Sequence, residues 1–162
     1  VSRARTIGRV DVFHHVSDPL PDEPPLDRPG HRLVTERDPA GSTTLRVLDG
    51  AGAIVASLVI HAAIHGDAFY GRWSRPDERY CYASALFVDP DARGGGLGRY
   101  LMLAGRHVSA GEGGRGVKHF IACDNEPSLR ANRAAGYVIT DELHGVRIGP
   151  RILWWSTRRV DR

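Results

Sequence analysis

From Val88 to Leu101 the chain reads Val-Asp-Pro-Asp-Ala-Arg-Gly-Gly-Gly-Leu-Gly-Arg-Tyr-Leu: the end of an apolar strand, a short turn, an arginine, four glycines in five positions and the start of a helix. These residue types at this spacing build an anion site from backbone. Glycine lets successive N–H groups converge, and the first turn of a helix adds unpaired donors and a positive dipole end. A pyrophosphate suits such a site. An ordinary strand-to-helix turn needs fewer glycines.

The spacing excludes two common guests. A mononucleotide loop requires Gly-x-x-x-x-Gly-Lys-Ser/Thr, and the run has neither the lysine nor the hydroxyl. A dinucleotide loop requires Gly-x-Gly-x-x-Gly, but the third glycine falls on Arg99 when counted from Gly94 and on Leu101 from Gly96. What fits is Arg-x-x-Gly-x-Gly, Arg93 through Gly98. Downstream, Asn125, Ser128, Asn132, Gly136 and Tyr137 form a second spaced set.

Together the two motifs resemble the coenzyme A site of the GNAT superfamily of N-acetyltransferases. The second motif there carries an asparagine, a small residue three later, a tyrosine seven later and Gly-Phe/Tyr at eleven and twelve. Asn132 stands in the tyrosine's place. The likeness runs from Ala83 to Ser156, and the first 80 residues carry little of it. It implies an α/β (α+β) fold with a mixed central sheet of about six to seven strands and helices on both faces. The middle of that sheet splays between Tyr80–Val88 and Val117–Cys123, and coenzyme A enters the gap.

The implied reaction is acyl transfer from acetyl-CoA, or another acyl-CoA, to a primary amine by direct attack. The resemblance puts Arg93, Gly94, Gly95, Gly96, Gly98 and Arg99 on the pyrophosphate. Leu86, Phe87 and Val88 offer backbone to the pantetheine, as an added strand would. A backbone N–H near Leu86 faces the thioester carbonyl. Asn125 and Ser128 orient the cofactor. Asn132 replaces a phenol and donates only a hydrogen bond to the departing sulfur; a thiol with pKa near 8.5 leaves without full protonation. Glu78, at the start of the central strand, and Tyr82, on the strand face it shares with Ser84, are the candidates for moving the ammonium proton. Tyr82 and Tyr137 also offer a phenol for the leaving group. His119, on the partner strand, is a titratable alternative to Glu78.

The elements follow from local pattern. Residues 7–15 alternate loosely as a first strand. Residues 17–30 hold five prolines among acidic residues, an extended loop where the family has helices that wall the acceptor pocket. That loop, or a second subunit in a homodimer, is expected to cover the acceptor side, and removing residues 1–30 is expected to spare cofactor binding. Thr43–Asp49 and Ile54–His61 flank Asp49-Gly50-Ala51-Gly52 as a hairpin. Residues 62–78 form a loop containing Trp73. Leu97, Leu101, Ala104 and Val108 mark a helix from Leu97 to Ala110. Pro127 and Gly136 bracket a second, and Tyr137–Thr140 and Arg151–Ser156 close the sheet.

The chain has 162 residues, 41% hydrophobic, 25% charged, with net charge +3, as one soluble domain has. The expected organisation is a single domain over 1–162 with a proline-rich, irregular segment at 1–32. The arginines lack clustering with aromatic platforms, so nucleic acid is not an expected partner. No apolar run reaches a membrane span, and the start lacks a signal-peptide core; the expected location is the cytoplasm. Two cysteines, Cys81 and Cys123, are too few for a disulfide framework and read as core filler. His61 and His65 are four apart, but no ligand set completes a metal site. The alternative to an enzyme is a non-catalytic acyl-CoA-binding module; a nucleotide-binding domain using the same turn is a weaker one.

Overall fold

The computed structural model describes residues 6–16, 29–61, 80–114, 116–148 and 151–158. Half-buried and fully buried residues alternate along Ser42–Leu48 (β3) and, from Val55 on, along Ile54–His61 (β4), and the two strands pair antiparallel. Their turn is set by Asp49, whose Oδ1 accepts the N–H groups of Ala51 and Ala53 at 2.9 and 2.8 Å, and by Gly52 at φ +85°.

The remaining elements are Thr6–Val16 (β1), Arg32–Arg37 (β2), Tyr80–Val88 (β5), Leu97–Gly111 (α1), Gly116–Ala122 (β6), Glu126–Ala134 (α2), Val138–Ile148 (β7) and Arg151–Arg158 (β8). They form one eight-stranded sheet in the order β2-β3-β4-β5-β6-β1-β7-β8. Only β5 and β6 run parallel; every other neighbouring pair is antiparallel. The mixed sheet of the sequence reading is present, with its strands where they were expected for the hairpin and the β5–α1–β6 unit.

Two features differ from the sequence reading, and a third adds to it. β2 is an added edge strand, mostly exposed, and its two central apolar residues give little pattern. β7 runs to Ile148 rather than stopping at Thr140. β1 covers the 7–15 stretch read as a first strand, and its place inside the sheet, between β6 and β7, is what the sequence reading did not give. Residues 17–28 and 62–79, including the proline-rich run, Trp73, His65 and Glu78, lie outside the described residues.

The core is the face of β3 to β6 that carries α1. Leu45, Val47, Leu58, Ile60, Cys81, Leu97, Leu101, Met102 and Val117 are each at most 2% exposed. Gly105 lets the helix close on β4: a Cβ there would sit 2.9 Å from Ile60 Cδ1. α2 packs against α1, where a Cβ on Gly98 would meet Ala131 Cβ at 3.2 Å. The helices expected on both faces are, among the described residues, these two in mutual contact. On the opposite face the Tyr82 and Phe120 rings stack at 6.0 Å, and Lys118 Nζ lies 4.3 Å from the centre of the Tyr80 ring. No helix among the described residues is long and apolar enough to cross a membrane.

Candidate active site

β5 and β6 pair only from Tyr80↔Gly116 to Ala83↔His119. Beyond that point each strand keeps its outer partner. Ser84, Phe87 and Val88 stay with β4, while Phe120 to Ala122 stay with β1. The sheet therefore splits at Ala83 and His119, leaving the inner edge of Ser84–Val88 unclaimed by β6. The expected splay is present at the expected strands.

A bulge sits just past the split. Two steps on β4, Ser57 to Val59, match three on β5, from Phe87 back to Ser84. Ala85 takes up the extra residue at φ +52°, a left-handed conformation that a residue with a Cβ adopts at a cost. Such a bulge re-aims the backbone groups around Ala85 and Leu86 away from the ladder.

The chain then turns into α1. Asp89 Oδ1 caps a short 3-10 turn, Pro90–Ala92, by accepting the Asp91 N–H at 2.9 Å. Asp89 N–H is tied to Val55 O at 2.9 Å. Arg93 Nε donates to Val88 O at 3.3 Å, folding the arginine back along the strand end. Gly94 and Gly96 hold φ of +79° and +78°, so each needs glycine. Gly96 is the N-cap of α1 and offers no side chain to its first N–H groups. Open donors, a helix dipole and flanking Arg93 and Arg99 at an exposed turn form a cradle that suits a pyrophosphate. Gly98 has a further role: its missing Cβ makes room for α2.

α2 begins at the same end of the sheet, after β6. Its N-terminus is already capped. Asn125 Oδ1 accepts the Ser128 N–H at 3.3 Å, so these two residues define the helix start. Asn132 is 0% exposed and not a surface residue. Its Nδ2 donates to Ser128 O at 2.9 Å, and its buried Oδ1 has no partner. Tyr137 is buried, and its hydroxyl donates to Met102 O at 3.2 Å; burial raises its pKa strongly. Such a phenol serves packing better than proton transfer.

The proton-moving candidates separate. Glu78 lies outside the described residues. Tyr82 is 2% exposed and stacked on Phe120. His119 faces the other side of the sheet, edge-on to Tyr137, and burial pushes its pKa down to about 3. It is neutral at pH 7 and a poor base, so its suitability on residue type alone is not met. Cys81 and Cys123 are not disulfide-bonded.

One arrangement was not anticipated. His61 Nδ1 lies 3.0 Å from Ser42 Oγ, and its Nε2 lies 2.7 Å from Ser84 Oγ. Ser42 is directly opposite His61 in the β3–β4 register, and Ser84 is two residues beyond His61's partner Tyr82 on β5. Three strands thus bring these side chains together. The hairpin signal around Asp49 could have found the Ser42–His61 pair; the link to Ser84 depends on a β4–β5 register across residues 62–79.

Comparison with known proteins agrees with this architecture. Residues 9–137 match the acetyltransferase (GNAT) family. A tandem GNAT protein from the clavulanic acid biosynthesis pathway superposes with a TM-score of 0.63 at 18% identity, over 96% of this chain and 55% of that one. A Drosophila protein superposes with a TM-score of 0.58 at 14% identity, over 98% and 53%. At these identities the likeness is one of fold. The mycothiol acetyltransferase of Actinosynnema mirum is 40% identical over 63 residues, 39% of this chain and 21% of that protein. That of Mycobacteroides abscessus is 40% identical over 60 residues, 36% and 20%. The chain matches about a fifth of the length of these relatives. With the family match spanning most of the chain, the chain belongs to the GNAT acetyltransferase family.

Proposed function

We propose that the chain is an acyl-CoA-dependent N-acyltransferase that moves acetyl from acetyl-CoA to a primary amine. The observation that carries this reading is a coincidence of place. The split between β5 and β6, the bulge at Ala85 and the uncapped start of α1 all lie at the carboxyl ends of the two parallel strands. Such a crevice is where α/β sheets bind ligands.

The pyrophosphate rests on the N–H groups from Arg93 to Arg99, with the Arg93 and Arg99 charges beside it. The pantetheine lies along the inner edge of Leu86, Phe87 and Val88, taking the backbone pairing that β6 gives up. This sets the thioester carbonyl against the N–H groups turned out by the bulge. One such donor is worth about 3 kcal/mol in the transition state. The amine attacks the carbonyl carbon, the C–S bond breaks, and the thiolate leaves. Asn132 supplies at most a hydrogen bond to sulfur, from the second hydrogen of Nδ2, and no proton. Asn125 and Ser128 act on the cofactor through the helix start they fix.

The acceptor is a small amine, and the partial likeness to mycothiol acetyltransferases makes mycothiol-related amines the first to try. Acetyl-CoA at 100 times its dissociation constant is expected to stabilise the chain by about 2.7 kcal/mol. Acetylated product from an amine panel, read by mass spectrometry so that thiol acceptors do not interfere, completes the test. No stabilisation by acetyl-CoA overturns the reading. Stabilisation without transfer to any amine supports the binding module instead.

A further inference from the structure

A direct attack by an amine needs an exit for its proton, and none of the candidates named from sequence provides one among the described residues. Tyr82 is buried in a stack, and His119 lies on the far face with its pKa driven down. The Ser42–His61–Ser84 chain is on the face away from α1. It ends at the right place: Ser84 follows the last β5–β6 pair and precedes the bulged Ala85. All three side chains are half-buried, so the chain reaches from the interior of the sheet to the mouth of the split.

We infer that Ser84, His61 and Ser42 form a proton relay for the acceptor amine. The inference rests on the transferase reading above. The relay uses the tautomer in which His61 Nδ1–H donates to Ser42 Oγ, 3.0 Å away, and Nε2 accepts the Ser84 hydroxyl, 2.7 Å away. Ser42 is itself pinned, since its backbone N–H donates to Asp38 Oδ1 at 2.7 Å and its carbonyl accepts from Asp38 N–H at 2.8 Å. When the amine nitrogen bonds to the thioester carbon, it carries a positive charge and one proton too many. That proton passes to Ser84 Oγ as the Ser84 hydroxyl proton passes to His61 Nε2. The C–S bond then breaks with its electron pair on sulfur. The imidazolium returns its proton to solvent, and Ser84 ends unchanged. Ser84 is the residue in contact with substrate; His61 and Ser42 act through it.

The test uses the full chain with acetyl-CoA and the panel amine of highest turnover. His61→Ala and Ser84→Ala are each expected to lower kcat about 100-fold, the lower range for removal of a general base. The acetyl-CoA dissociation constant stays unchanged. The double variant is no worse than either single one, because both interrupt one path. Added imidazole restores part of the His61→Ala rate. His61→Gln separates chemistry from scaffolding, since it keeps hydrogen-bonding capacity but cannot carry the proton. Recovery of Tm without recovery of kcat supports the relay. Recovery of both, or single variants with unchanged kcat, overturns the relay while the transferase reading stands. A wild-type chain that binds no acetyl-CoA overturns that reading itself.

Discussion

The first four residues of β5 and the last five belong to one strand but two environments. Tyr80, Cys81, Tyr82 and Ala83 are 4%, 0%, 2% and 7% exposed; all four pair with β6, and Tyr82 and Ala83 pair with β4 as well. From Ser84 onward the strand keeps β4 alone, bulges at Ala85 and leaves Phe87 45% exposed. The closed half is held by burial, in which each large apolar side chain contributes about 1.5–3 kcal/mol. The open half keeps unpaired backbone and a strained residue, which cost stability and suit a ligand that adds the missing strand. Stability and binding are thus assigned to successive segments of one strand.

This division can be broken on either side. The largest effect is expected from Leu101→Ala in α1, over the closed half. The residue is 0% exposed, and its truncation should cost about 2–5 kcal/mol in denaturant unfolding. Acetyl-CoA should still stabilise that variant. Gly96→Asp tests the open end. It puts a negative charge against the pyrophosphate at a position with φ +78°, and should remove the roughly 2.7 kcal/mol of stabilisation expected from saturating acetyl-CoA. Gly96→Ala keeps the backbone strain without the charge and should lose less of it; thermal shifts with and without acetyl-CoA read both. The smallest effect is expected from Asn125→Ala. Loss of the α2 cap should cost about 1 kcal/mol of stability. If Asn125 also orients the cofactor, acetyl-CoA affinity falls with it; an unchanged affinity limits Asn125 to capping.

The closed half was more legible in the sequence than its surroundings. The strand–turn–helix unit from Tyr80 to Gly111 has local signals throughout: β-branched and aromatic residues, then glycines, then helical spacing of Leu97, Leu101 and Ala104. The split was legible through the family resemblance. Position within the sheet was not, because pairing across a hundred residues leaves no local mark. β1 read as a strand, but nothing in Thr6–Val16 names β6 and β7 as its neighbours. β7 was cut short because Asp141, Glu142 and Gly145 interrupt its apolar pattern. His61 drew notice for its spacing from His65, a helical measure, whereas its partners are set by strand register. The burial of Asn132 was hidden for a related reason: α2 is short and polar overall, and which of its sides meets α1 depends on the contact at Gly98.

The interior place of β1 also bears on how the chain is assembled. Strands β2 to β6 form one contiguous ladder and β7–β8 another, and β1 alone joins the two within the sheet. Its partners run from Gly116 to Val146, so β1 waits until most of the later strands have been made before it can dock. Until then β6 and the β7–β8 hairpin have open edges that invite pairing with other chains. Deleting residues 1–30 would make that condition permanent. The truncation therefore removes the seam of the sheet, and is expected to give aggregated protein rather than a cofactor-binding core.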